Sequence, residues 1–219
     1  MTRSPAQVLV LGPPGAGKGT QARRLAQRLR LVHLSPGEML RALAGADSPA
    51  GRRVRAIMAA GELVPEDLVD TMVQARLESL APGQGFVLDG YPRTAAETMA
   101  LRGLLARLGR LKPRPVVVWL EVPRGALIER LHHRRTVEGR VDDDEDTIVR
   151  RLKIYEQHMR DVREAFAGWA DVLMVDGNRP PDEVTDEIVD RLEHAHDRKH
   201  AAPLRSPGDR RPCEAATRP

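Results

Sequence analysis

The sequence predicts an α/β domain built on a doubly wound, parallel, five-stranded sheet. Three observations carry this expectation. Short aliphatic runs recur along the chain between longer helical patterns, the alternation of parallel βα units. One of these runs, Val116–Leu120, is apolar at every position, as a strand covered on both faces must be. Another, Val8–Leu11, passes through a glycine-rich turn, Gly12-Pro-Pro-Gly-Ala-Gly-Lys-Gly-Thr20, into a segment with Ala22, Leu25, Ala26 and Leu29 on one helical face.

The other elements follow in order. Leu31–Leu34, Phe86–Leu88 and Val172–Val175 supply the remaining strands. Residues 35–64 read as short helices punctuated by Gly45, Pro49, Gly51 and Gly61, an insertion on the sheet. A second insertion, residues 131–141, has little apolar content and lies between two helices. Asp142–Glu145 places acidic charge at a helix start, and Thr147–His158 continues as a helix with Ile148, Leu152 and Tyr155 inward. The last helix spans Pro181–His194 and buries Val184, Ile188, Val189 and Leu192. From about Asp197, four prolines among scattered charges predict a disordered tail, residues 197–219.

Composition bounds the function. The 219 residues suffice for one substantial domain, and two each of Trp, Tyr and Phe within 41% hydrophobic content mean an aliphatic core. Most of the +4 net charge lies in the tail, where six basic residues face three acidic ones. The body is near neutral, which argues against a nucleic-acid-binding domain. The single cysteine, Cys213, excludes an intrachain disulfide framework and a cysteine-based zinc site. With no signal-type apolar segment and no run of transmembrane length, a cytoplasmic protein without a membrane partner is expected.

The chemistry centres on Gly12–Thr20. A buried strand feeding a glycine-rich turn into a helix start gathers unpaired N–H groups and the positive helix end, a point that binds phosphate. The spacing Gly12-x4-Gly17-Lys18 fits the P-loop pattern, with Lys18 able to reach β- and γ-phosphates. Gly19, however, stands where that pattern wants Ser or Thr, and the hydroxyl comes one residue later, at Thr20, which can serve a metal shell. Ligands of such sheets sit beyond the strands' carboxyl ends, so Ser35–Arg41, Asp89–Arg93 and the segment past Glu121 are the other places to inspect. Arginine suits phosphoryl transfer because its planar fork meets phosphate oxygens in pairs and keeps its charge. Arg41, Arg93, Arg130, Arg134, Arg140 and Arg151 sit at strand ends or near the polar insertion.

Five segments in order resemble the adenylate kinase family: Gly12–Gln21; Leu34-Ser-Pro-Gly-Glu-Met-Leu-Arg41; Gly61-Glu-Leu-Val-Pro-Glu-Asp-Leu68; Gly85-Phe-Val-Leu-Asp-Gly-Tyr-Pro-Arg-Thr94; and Gly139-Arg-Val-Asp-Asp143 with Thr147-Ile148 and Arg151-Leu152. The resemblance runs from about Val8 to Leu192 and accounts for the displaced hydroxyl, since Gly-Lys-Gly-Thr is the family's form of the loop. It implies phosphoryl transfer from ATP to a nucleoside monophosphate, AMP in that family, with Mg²⁺, by a monomer that maintains adenine nucleotides. Residues 1–196 would be the domain, with a core of 1–34, 65–130 and 142–196, a monophosphate-binding insert over 35–64, and a short lid over 131–141.

The roles carry over by position. Gly15, Ala16, Gly17, Lys18, Gly19 and Thr20 would hold the ATP phosphates, and Asp89 would hold Mg²⁺ through water. Arg41 and Arg93 would grip the acceptor phosphate, Arg130 and the weaker candidate Arg134 would lie against ATP, and Arg140 and Arg151 would bridge both phosphates. Main-chain groups of Glu62, Leu63 and Val64, and of Gly90, Tyr91 and Pro92, would serve the acceptor, with Ser35 beside them and Arg179 near the ATP base.

Two positions depart from the family pattern: Pro36 replaces a usual threonine and Glu97 a usual glutamine. A carboxylate suits the N6 donor of adenine but opposes the N1 lone pair, so Glu97 would shift base preference toward a base such as guanine. Alternatively, Thr94-x-x-Glu97 is a capping box, and Glu97 serves the helix instead. Two rival functions accompany these departures. One is a kinase of the same fold with GMP, CMP or UMP as acceptor. The other is a nucleotide-holding module without turnover, although no lysine sits in the Asn-Lys-x-Asp that a guanine-reading switch needs.

Overall fold

A computed structural model of the protein describes residues 7–138 and 144–200. Within them, strands β1 (Gln7–Leu11), β2 (Val32–Leu34), β3 (Phe86–Asp89), β4 (Val116–Glu121) and β5 (Asp171–Asp176) form one all-parallel sheet in the order β2-β3-β1-β4-β5. The helices are α1 (Lys18–Leu29), α2 (Pro36–Gly45), α3 (Pro49–Ala59), α4 (Glu66–Glu78), α5 (Ala95–Arg107), α6 (Arg124–Glu138), α7 (Glu145–Ala165) and α8 (Pro181–His200). Each expected strand is present to within one residue at either end.

Strand side chains alternate between the faces of the sheet, and both faces are covered. Leu9 and Leu11 of β1 point into one aliphatic cluster with Leu88, Val117 and Trp119, roofed by side chains of α2 to α5. Val8 and Val10 point the other way, into a cluster with Val87, Val118 and Leu120 under α1, α6 and α8. The continuous apolar runs thus reflect burial on both sides. Because the chain passes from β1 to β2 and β3 on one side and then from β3 over β1 to β4 and β5 on the other, a crevice opens beyond the carboxyl end of β1.

Three element bounds differ from expectation. The polar stretch from 131 continues α6 as far as Glu138, so its lack of apolar residues reflects an exposed helix. The helix expected over Thr147–His158 begins at Glu145 and runs to Ala165, burying Val162 in the core beside Phe166. The last helix extends to His200, so residues 197–200, assigned from sequence to the tail, are helical, while 201–219 lie outside the described residues. No helix among the described residues is long and apolar enough to cross a membrane.

Candidate active site

The glycine-rich turn lies at the crevice, and the sheet dictates its glycines. Gly12 takes φ +148°, and a Cβ there would lie 2.8 Å from the Leu120 carbonyl oxygen; Gly15 takes φ +85°, with the Leu127 carbonyl 2.9 Å from its missing Cβ. Gly17, at φ 86°, caps α1 without any side-chain bond. The first N–H groups of α1 therefore remain for a ligand at the positive end of the helix. Lys18 folds back over the turn, its Nζ donating to Gly12 O at 2.9 Å and Pro13 O at 2.8 Å. Burial pulls the Lys18 ammonium down to about 7; Asp89 opposes this, while Arg93, Arg151 and Arg134 reinforce it. Incoming phosphate charge acts on Lys18 in the opposite sense, restoring the ammonium. Position 19 also has a geometric reason to be glycine, since a Cβ there would stand 3.2 Å from Asp89 Oδ2.

Asp89 ends β3 and faces the turn. Ser35 Oγ donates to its Oδ2 at 3.1 Å, and His33 Nε2 lies 3.7 Å from the same oxygen, an ion-pair distance rather than a hydrogen bond. Burial works to raise the Asp89 carboxyl, yet His33, the Lys18 charge and Ser35 together hold it below the usual carboxylate range. The group is therefore an anion at neutral pH. A single carboxylate beside a phosphate site fits Mg²⁺, which keeps several waters and binds through one or two carboxylates plus substrate phosphates. No group of three or more His, Cys, Asp or Glu that could cage a metal occurs among the described residues.

Across the crevice a cleft is lined by the P-loop, α2, the turn at 61–64, the Gly90–Arg93 loop and α7. Arg41, Arg93, Arg151 and Lys18 bring four cations to it, and Leu40, Met58, Val64, Ile154, Tyr155 and Met159 form an apolar wall. This combination of cationic and apolar lining suits a molecule with a phosphate and a flat base. Glu62, Leu63, Val64, Gly90 and Pro92 line it, as does Gly37 after Pro36. The Gly90–Arg93 loop is fixed from behind. Arg93 Nε donates to Gly90 O at 3.0 Å, the buried Tyr91 hydroxyl donates to Asp70 Oδ1 at 2.5 Å, and Thr94 Oγ1 donates to Glu66 Oε1 at 2.5 Å. The Tyr91 side chain is thus committed to α4, and Tyr91 does not line the cleft as its neighbours Gly90 and Pro92 do.

Other expected residues lie elsewhere. Pro36 is buried as the first residue of α2, and Ser35, the N-cap, turns its hydroxyl toward Asp89 rather than toward the cleft. Glu97 is buried beneath the Gly90–Arg93 loop and does not line the cleft. Thr94 Oγ1 accepts from Glu97 N at 3.1 Å, and Glu97 Oε2 accepts from Arg93 N at 2.5 Å. This is a capping arrangement whose return bond reaches one residue beyond the N-cap. Arg130 donates to Gly177 O at 3.0 Å and to Asn178 Oδ1 at 3.3 Å, holding the turn after β5. Arg179 pairs with Glu187, and its Nε lies 3.8 Å from Asp176 Oδ2, so its side chain ties that turn to α8. Thr20 is exposed in the first turn of α1, next to Gly19. Arg134 acts on Lys18 electrostatically, and Arg140 lies outside the described residues.

Two features escape the sequence pattern. His33 sits in a three-residue strand that reads as apolar, and its placement beside Asp89 follows only from the β2–β3 register, in which it pairs with Val87. Of the apolar wall that α7 contributes, Ile154, Tyr155 and Met159, the sequence marked only Tyr155, as an inward core residue rather than a cleft residue. A polar residue inside a buried run was the one available signal for His33.

Comparison with known proteins agrees with this geometry. The adenylate kinase family model matches residues 10–171. The chain is 39% identical over 183 residues to a protein of Stenotrophomonas maltophilia named adenylate kinase, covering 84% of this chain and 97% of that one. It is 40% identical to one of Xylella fastidiosa with the same coverage, and 40% identical over 182 residues to one of Xanthomonas oryzae pv. oryzae, covering 83% and 96%; both carry the same name.

Proposed function

The chain belongs to the adenylate kinase family and is an ATP-dependent phosphotransferase whose acceptor is AMP; we propose that its own residues divide that work as follows. Residues Gly15 to Thr20 receive the ATP phosphates on backbone N–H groups, and Lys18 leaves the Gly12 and Pro13 carbonyls to follow the transferred group. Arg41 and Arg93 hold the AMP phosphate at the charged end of the cleft, and its base lies along the Leu40–Val64–Tyr155 wall. Arg151 stands between the two ends, with Arg130 and Arg134 on the ATP side and Arg140 joining Arg151. When bound at Asp89 through water, beside Thr20, Mg²⁺ supplies positive charge to the β- and γ-phosphate oxygens.

Catalysis in this arrangement is positional and electrostatic. The transition state spreads charge over oxygens, and cations pre-placed in a partly dry cleft stabilise it without reorganising. The segments over 35–64 and 131–141, read as acceptor insert and lid, exclude water that would otherwise take the phosphoryl group. We extend the reading to a monomeric, cytoplasmic enzyme of adenine nucleotide homeostasis.

The observation that carries this reading is the gathering of Asp89, Arg93, Arg134 and Arg151 around Lys18 from four separate segments. A coupled assay with ATP and, in turn, AMP, GMP, CMP and UMP tests it. AMP is expected to turn over at least about tenfold better than the others, a difference of one buried hydrogen-bond mismatch. Comparable turnover with GMP would move the assignment to a broader acceptor.

A further inference from the structure

The exit of α3 and the start of α7 are fastened together although nearly ninety residues separate them. Thr147 Oγ1 donates to Ala59 O at 3.3 Å, and Arg150 Nη1 donates to Ala60 O at 2.8 Å. These carbonyls belong to the last turn of α3, where helix acceptors have no partner of their own and the dipole favours a cation. Gly61 follows at φ +69°, and a Cβ there would lie 2.7 Å from Thr147 Cγ2 and 3.3 Å from Arg151 Cγ. The approach is closer than any side chain permits. On the α7 side, Asp144 Oδ1 accepts from Thr147 N at 3.1 Å and fixes the first turn of the helix. Thr147 and Arg151 are four residues apart and share a face, so the contact that holds Thr147 also sets where Arg151 leaves the helix.

We propose that Thr147 and Arg150 are positioning residues for the transfer: they clasp the exit of the 35–64 insert to α7 and so fix Arg151 relative to the acceptor cleft. Both ends of the clasp run directly into the cleft lining, Glu62–Val64 on one side and Arg151 on the other. The inference rests on the reading of 35–64 as the acceptor insert and of Arg151 as a phosphate ligand. It also implies that movement of the insert is felt at Arg151 before it is felt at the P-loop.

Steady-state kinetics of the full chain well below its unfolding temperature test this, varying AMP at saturating ATP and then the reverse. Arg150→Ala and Thr147→Val are each expected to raise KM for AMP about threefold to tenfold, the worth of one hydrogen bond, with KM for ATP within about twofold. Arg150→Lys, which still offers a cation to Ala60 O, should recover most of the loss. Arg150 is exposed, so its alanine variant folds and is decisive by itself. A lowered Tm with an unchanged KM for AMP, or equal rises in both KM values, would overturn the clasp, since a merely structural tie gives the first and general loosening the second. Arg151→Ala in the same series examines the underlying reading separately. It should lower kcat about a hundredfold or more, and an unchanged kcat would remove the phosphate role of Arg151 while the clasp is judged on KM for AMP.

Discussion

The two ends of the cleft are built by different means. The donor end is one contiguous loop, Gly12–Thr20, that works through backbone N–H groups and a single lysine. The acceptor end is assembled from α2, the turn at 61–64, the Gly90–Arg93 loop and α7, and works through arginine side chains and an aliphatic wall. A loop whose conformation is set by glycines at positive φ needs little outside help to form, whereas a cleft between four segments needs each one held from behind. Glu66, Asp70 and Glu97 do this for the Gly90–Arg93 loop, and Thr147 and Arg150 do it for the 61–64 turn. Perturbing the donor end should therefore remove chemistry outright, while perturbing the supports of the acceptor end should loosen binding by degrees.

The largest expected effect is at Lys18. Lys18→Met keeps the length of the side chain and removes the charge, and kcat should fall about a hundredfold to a thousandfold, the cost of one transition-state cation or donor. Rapid-quench measurement of ADP formation checks this. A fall of less than tenfold would mean that the arginines carry the transferred group without it, and the contrast between the ends would disappear.

An intermediate effect is expected at Gly19, where the general P-loop pattern would place a serine. In Gly19→Ser the new Cβ meets Asp89 Oδ2 at 3.2 Å, so the carboxylate must give by a few tenths of an ångström. The expected loss is about tenfold to a hundredfold in kcat/KM for ATP with KM for AMP little changed. Silent kinetics would show that Asp89 has slack, and that the shifted hydroxyl is not enforced by this contact.

The smallest effect is at Glu97. Because it caps α5 and holds Arg93 N–H, Glu97→Gln should alter the AMP-to-GMP preference by no more than about threefold, since the amide oxygen can accept the same bond. A larger gain in AMP preference would place Glu97 at the base after all. Its effect on stability is more distinctive. Burial holds the Glu97 carboxyl above the usual range, with Asp70 and Glu66 adding to it and Arg93 opposing. The folded protein then retains a proton that the unfolded chain has released, so stability declines as pH rises from the unfolded-state value through the folded one. Relative to the wild type, Glu97→Gln should show no Tm gain near pH 4 and a gain at pH 7, read by thermal melts across that range.

Much of this site is legible in residues adjacent in sequence. Gly12, Gly15, Gly17 and Lys18 declare themselves because one local motif sets both their conformation and their role. Asp89 is legible from its place at a strand end. Arg41, Arg93 and Arg151 stand out less among many arginines; strand-end and insertion positions single them out, and the resemblance to a family assigns their roles. Glu97 shows the limit. Its position four residues after Arg93 allowed either base reading or capping, and only the burial of its side chain under the loop separates them. Arg150 and His33 were not marked, and Thr147 only as part of a family segment, because each acts on a partner brought near by packing: two α3 carbonyls for Thr147 and Arg150, and Asp89 across the β2–β3 register for His33.

The sequence by itself determined the hydrophobic runs that become strands, the phosphate loop and the identity of the cations, because periodicity and short motifs are local properties. Tertiary structure alone decided which side chains face the cleft and which face its supports. That choice depends on contacts between segments far apart in the chain, as Gly61 against Thr147 and Gly19 against Asp89 show, and no local pattern encodes a distance of that kind.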